Sequence, residues 1–410
     1  MKETAKGTRA RLVTPVFLLI QLSTFAYFVG IGAMLPVLPL YVKGPLGGGN
    51  LAVGLAVGSF SLSALLLRPL AGRLGDARGR RALILTGGTV VALAVAGYNA
   101  ATGMPALIAL RLITGAGEAF FFTGAASAIN DLAPDERRGE AVSYFSLALY
   151  AGIAVGPVLG EVVLGHDRFH VVWWLSAASA LLAAALAFRV PDTRGTERPA
   201  GRGDQAGRRG RLYHPAAVLP GFVVAASVWG YSAFASFVPL YALQLGLGGS
   251  APVFVAYSVV VIGIRSVGAR LPDRLGSRLT SRIALTCSAT GLATMAAWRS
   301  PVGLLAGTVV FAVAQALLFP GLMTLAIRSA PQSEMGAVVG TFTAFFDLAY
   351  GLGAVSLGAV ATALGYRGAF AIAAAVAAGG LVLLLVKVEP STSVHRDQPP
   401  PAKRGRLVKP

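Results

Sequence analysis

The chain has 410 residues, 55% hydrophobic and 13% charged, about half the charged share of an average soluble protein. Its mean hydropathy of +0.69 excludes a disordered chain and argues against a soluble enzyme. Thirty-five Lys and Arg against 17 Asp and Glu give a formal charge of +18, which in a soluble protein would point to nucleic acid, but its placement points elsewhere. The one cysteine, Cys287, excludes an intrachain disulfide.

Residues 1–15 read as a basic cytoplasmic tail. Six apolar segments fill 16–190, near 16–42, 51–71, 82–102, 104–127, 141–164 and 170–189. Residues 191–216, rich in Arg and Gly, read as a cytoplasmic linker. Six more segments fill 217–388, near 217–243, 251–271, 281–298, 302–326, 336–358 and 368–387. Residues 389–410 read as a second basic tail. Most segments are long enough to cross about 30 Å of hydrocarbon at about 1.5 Å per residue. The first is too long for a signal-peptide core and reads as an uncleaved helix. The fold expected is an all-α integral membrane protein, with twelve transmembrane helices in two six-helix bundles.

The arginines and lysines set the orientation. With the amino terminus inside, only Lys43, Arg168, Arg299 and Arg367 fall in outer loops, and Arg68, Arg111 and Arg265 fall within segments. The other 28 lie on the cytoplasmic side, which the positive-inside rule requires. Both termini are therefore expected in the cytoplasm of a bacterial cell, with the chain in its cytoplasmic membrane. The surplus charge is topology and attraction to anionic lipid headgroups, and no nucleic acid partner is expected.

Two stretches repeat at a spacing of 197 residues: Arg68 to Arg81 (RPLAGRLGDARGRR) and Arg265 to Arg278 (RSVGARLPDRLGSR). At that spacing Asp76 meets Asp273, Gly79 meets Gly276 and Ala133-Pro134 meets Ala330-Pro331. Two like halves suggest a transporter with its site between them near the bilayer midplane, and a rocking motion of one half on the other.

These residues resemble the major facilitator superfamily. Gly72 to Arg81 is similar to that family's signature between helices 2 and 3. The resemblance implies a conformational latch formed by Gly72, Asp76, Gly79, Arg80 and Arg81, with Asp273 in the second copy. Arg111-Leu112-Ile113-Thr114-Gly115-Ala116-Gly117 resembles the helix-4 motif associated with proton transfer, with Thr114 where a Gln is usual. Gly152, Gly156, Pro157 and Gly160 resemble a helix-5 motif found mainly in proton-driven exporters; its small residues also permit plain close packing.

An ionisable group in hydrocarbon is costly, so Glu118 in helix 4 and Asp347 in helix 11 are the first functional candidates. Arg111 lies two turns from Glu118 on roughly the same face, where a water would be needed to join them. These three are read as the proton-coupling group; the alternative is a structural ion pair with an arginine. In the repeat register Glu118 meets Gln315 and Asp347 meets Tyr150, so symmetry does not demand the acids. Arg68 and Arg265 read equally well as snorkelling anchors. Gln21, Tyr27, Tyr150, Trp229, Tyr231, Phe234, Gln315 and Tyr350 are candidates to line a cavity for an amphipathic or aromatic ligand. His166 and His170 lack a third ligand, so no metal is expected. With no phosphate loop, the expected energy source is a proton gradient and the expected cofactor is none. The function expected is not enzymatic: proton-coupled export of a small lipophilic or aromatic molecule by a monomer. Its rivals are import or export of a polar metabolite and, more distantly, a membrane sensor or scaffold.

Overall fold

A computed structural model describes residues 12–134, 137–191, 214–267, 275–328 and 335–387. Residues 1–11 of the first tail, 192–213 of the linker, the second tail and Asp273 lie outside the described residues. Within these residues the first half contains α1 (Pro15–Lys43), α2 (Asn50–Arg78), α3 (Arg80–Gly97), α4 (Met104–Leu132), α5 (Arg138–Leu164) and α6 (Phe169–Ala187). The second contains α7 (Pro215–Gln244), α8 (Ala251–Val267), α9 (Ser277–Ala297) and α10 (Pro301–Arg328). Met335–Lys387 runs on as one helical stretch broken at Gly365, whose φ of 70° and ψ of −179° are not helical. It is therefore two helices, α11 (335–364) and α12 (366–387). Against expectation α11 is six residues longer than its apolar run, because Gly365, not the end of the hydrophobic pattern, stops it.

Each half begins alike. Thr14 Oγ1 accepts from Phe17 N at 3.2 Å ahead of Pro15, and His214 Nδ1 accepts from Ala216 N at 3.2 Å ahead of Pro215. A side-chain cap with proline at the first helical position satisfies free amides and presets φ. Among the described residues nine helices are long and apolar enough to cross a membrane, the stretch 338–387 being counted once. Their outward faces are apolar too: Leu93 is 70% exposed and Leu66 67%. Such faces suit lipid rather than water.

In the first half α1 packs on α5 and α6, and α4 on α2 and α3. In the second, α7 packs on the 335–387 pair and α10 on α8 and α9. The halves meet along α2–α11 and α5–α8, with a smaller contact between α1 and α7. The 197-residue repeat maps α2 onto α8 and α5 onto α11, so the two main seams are copies of one another. At the end of the bundle remote from the termini, Asn50 Nδ2 donates to Ala361 O at 2.8 Å across one seam. Across the other, Glu161 accepts from Ser250 N and Ala251 N, both at 2.6 Å, and from Ser250 Oγ. That carboxylate caps the start of α8 from the opposite half, where the helix dipole favours a negative charge.

Candidate functional site

Glu118 stands fourteen residues from each end of α4, and Asp347 is near the middle of α11. Both are buried. One arginine joins them. Arg68 Nη2 donates to Asp347 Oδ1 at 3.1 Å, and Arg68 Nε lies 2.7 Å from Asp347 Oδ2. The second contact is close but poorly aligned, so Nε and Oδ2 gain charge attraction there without a directed hydrogen bond. Arg68 Nη2 also lies 3.5 Å from Glu118 Oε2, and its guanidinium sits 5.1 Å from the Phe122 ring centroid. One buried cation thus holds a carboxylate from its own half and one from the other.

Arg111 takes a different place from the one its spacing suggests. Its Nε donates to Ala56 O at 2.8 Å, and its guanidinium lies 4.8 Å from the Phe60 ring. It forms no ion pair with Glu118; two turns of helix aim it at α2. Arg68, for which an anchor and a functional group read equally well, is the cation beside Glu118 and Asp347. The signal for it was present: Arg68 is the repeat mate of Arg265 and shares its seam with the mate of Tyr150.

That second seam holds the counterpart. Arg265 Nη2 donates to the Tyr150 hydroxyl at 3.1 Å, and the guanidinium lies 3.9 Å from the Tyr150 ring centroid. Gln315, the mate of Glu118, donates from Nε2 to Ser227 Oγ at 3.2 Å.

The cavity candidates sort unevenly. Tyr231 is half-buried, with ring centroids 5.8 Å from Tyr350 and 6.2 Å from Tyr257. Tyr257 carries no sequence signal beyond being aromatic, and went unnoticed. Phe234 is buried against Phe254, Tyr257 and Phe311, so it belongs to the core of the second half. Tyr27 is also fully buried, stacked at 3.8 Å on Phe121 with its hydroxyl unpartnered. Trp229 packs on Gly353 of α11. Gln21, oriented to satisfy its amide, bridges Tyr144 O and Phe145 N, each at 3.2 Å. A separate open depression of about 530 Å³, lined by Lys43, Asn50, Leu240, Gln244, Gly365 and Tyr366, lies at the remote end of the bundle.

The α2–α3 turn gathers its charges within one half. Gly79 has φ of 92°, which a side chain would strain. Arg80 Nη1 pairs with Asp76 at 2.9 Å, and its Nε donates to Asp131 Oδ2 of α4 at 3.0 Å. Arg81 lies 5.5 Å over the Phe188 ring, and Gly72 has open space beside it.

The helix-5 glycines face α1. A Cβ on Gly156 would meet Gly32 Cα and Val29 O, both at 2.6 Å; one on Gly152 or Gly160 would meet the backbone or side-chain atoms of Phe25, Phe28 or Ala33. With Pro157 against Gly32 as well, the motif is a close crossing of α5 on α1. Among the described residues no three His, Cys, Asp or Glu side chains form a metal-holding group.

Comparison with known proteins agrees with this architecture. The Major Facilitator Superfamily model matches residues 20–301 and 253–408. An uncharacterised MFS-type transporter of Salmonella typhimurium is 28% identical over 383 residues, covering 89% of this chain and 94% of its own. The uncharacterised MFS-type transporter YhhS of Escherichia coli is 27% identical over 380 residues, covering 89% and 90%. Among solved structures, the human organic anion transporter MFSD10 aligns with a TM-score of 0.69 at 20% identity, covering 91% of this chain and all of that one; this likeness is one of fold. With a family match spanning both halves and relatives aligned nearly end to end, the chain belongs to the Major Facilitator Superfamily and is a multi-pass membrane transporter.

Proposed function

We propose that this transporter exports a small lipophilic or aromatic organic molecule in exchange for protons, by alternating access of a site between its halves. Its twelve helices would all cross the bacterial cytoplasmic membrane, with both termini inside. The observation that carries the reading is Arg68, which bridges Glu118 of α4 and Asp347 of α11 across the seam. A proton taken up by either carboxyl removes a negative charge from that bridge. The attraction between the halves then falls, and the arginine is left to be satisfied by the remaining acid. Proton occupancy is thereby coupled to whether the halves stay closed, which is what exchange transport requires.

The family's helix-5 motif, present as Gly152, Gly156, Pro157 and Gly160, supports export over import. The half-buried Tyr231 and Tyr350, with the buried Tyr257 packed on Tyr231, offer apolar area with polar tips for an aromatic cargo.

The test is purified protein in liposomes with an imposed pH gradient and a panel of lipophilic dyes and drugs. Substrate should move against the proton flow in the wild type, and movement should stop when a protonophore collapses the gradient. Glu118→Gln and Asp347→Asn should each bind substrate yet lose gradient-driven transport. Flux indifferent to the gradient would overturn proton coupling, and movement in the same direction as the protons would overturn export.

A further inference from the structure

Three arginines lie within the apolar helices, Arg68, Arg111 and Arg265, but among the described residues only two carboxylates are buried, Glu118 and Asp347, and both face Arg68. Arg111 is enclosed by a carbonyl and a phenyl ring of its own half. Arg265 is different. Among the described residues it has no carboxylate within ion-pair distance, and its Nε is buried without an acceptor. Among the described residues its one hydrogen-bond partner is the Tyr150 hydroxyl, which accepts, leaving the phenolic proton to be donated. Two donors on adjacent groups, one of them cationic, stand at the seam between the halves with no acceptor among the described residues.

The repeat shows what is absent. In the first copy the arginine at position 68 faces Asp347 and Glu118. In the second the same arginine is kept, at 265, while both acids are replaced by neutral residues, Tyr150 and Gln315. A half-buried cation in an apolar helix with no counter-ion among the described residues is costly, and only part of that is recovered by the aromatic ring beside it. The side chain is only half-buried, so a ligand can reach it.

We infer that Arg265 and Tyr150 form the subsite for an anionic group on the transported molecule, whose negative charge stands where the second copy lacks its carboxylates. The substrate class is then a monoanionic amphipath: a carboxylate, sulfonate or phosphate ester on an aromatic or apolar body. The guanidinium supplies charge and a donor, and the Tyr150 hydroxyl supplies the second donor. Tyr231 and its neighbour Tyr350, with Tyr231 packed on the buried Tyr257 two turns before Arg265 on α8, would take the apolar body. This rests on the transporter reading of the seam, but not on export or on proton coupling.

The experiment is calorimetric binding to the full chain in phosphatidylcholine nanodiscs, with no pH gradient. The probes are naphthoate, naphthalenesulfonate and naphthyl phosphate against naphthamide and naphthylmethylamine. At least one anion should bind tighter than its neutral and cationic twins by about tenfold to a hundredfold, the scale of a charge-assisted hydrogen bond. Arg265→Gln should abolish that preference, and Arg265→Lys should keep part of it. Tyr150→Asp installs the carboxylate that the other seam has. It should abolish anion binding while leaving the protein monodisperse and at least as heat-stable, which a merely structural arginine would not do. Equal binding of all probes, or an anion preference that survives Arg265→Gln or Tyr150→Asp, overturns the inference. Repeating the titration with phosphatidylglycerol in the discs separates the sources. Arg265-dependent competition by that lipid identifies a headgroup as the anion; its absence identifies a solute. A protein that binds naphthoate through Arg265 but moves nothing against protons refutes export and leaves this subsite standing. One that exports amines under a gradient and binds no anion does the reverse.

Discussion

The cross-seam ion pair makes a quantitative demand on Asp347→Asn. In that variant Arg68 loses a carboxylate oxygen 2.7 Å from Nε and keeps Glu118 at 3.5 Å. At an effective dielectric of about 20 the lost attraction is about 6 kcal/mol. Asparagine also avoids part of the cost of keeping a carboxylate out of water. The net loss should be on the order of 3 kcal/mol, the low end of the range of about 3–5 kcal/mol for breaking a buried pair. Asp347 belongs to one half and Arg68 to the other, so the loss falls on the state in which they touch. The ratio of closed to open seams should drop roughly a hundredfold. Spin labels at His166 and Gln244, in a Cys287→Ser background, report the separation of the halves by pulsed electron resonance, since both sites are exposed and lie in different halves. Wild type should give one dominant short distance, and Asp347→Asn a longer population. Arg68→Gln should act in the same direction, and the double variant should be far from additive. An unchanged distance distribution, or additive effects, would refute the reasoning.

The remaining predictions concern contacts elsewhere in the bundle. Gly156→Leu should cost several-fold in folded yield or prevent assembly, because its side chain would enter the backbone of α1 at Gly32 and Val29; thermal unfolding in detergent measures it. Glu161→Ala should weaken the seam at the remote end by about 1–2 kcal/mol, the value of a helix cap with its dipole attraction. Faster alkylation of a cysteine placed at Ser250 reports it. Tyr27→Phe should leave stability unchanged or slightly raised, since the hydroxyl is buried with no partner. A loss above about 1 kcal/mol on thermal unfolding would show that the hydroxyl is satisfied after all.

How much of this was legible beforehand differs by residue. Helix positions followed from runs of apolar residues, because a lipid-facing chain must satisfy its backbone within each segment. The ends were less legible: α2 runs on to Arg78, and α11 to the non-helical Gly365, both past their apolar segments. That Glu118 and Asp347 need a partner was also legible, since an acid in an apolar run needs one wherever it lies. Which partner was not. Spacing on one helix favoured Arg111 for Glu118, but helical rotation aims Arg111 at α2, and a residue fifty positions earlier supplies the cation. Glu161 and Asp131, acids near helix ends, show the same limit. Their partners, the start of α8 and Arg80, lie on other helices.

Composition and periodicity alone therefore determined a chain of apolar helices in two related halves, with acids and arginines that hydrocarbon cannot leave unpaired. Only the packing of α2 on α11 and of α5 on α8 decided which charges meet. The repeat dictates that both seams have the same geometry, while the residues filling them differ. Tertiary contact thus turns one arginine into a doubly paired bridge and leaves its twin facing a tyrosine. Pairing in three dimensions is set by helix rotation and crossing, which no linear spacing records.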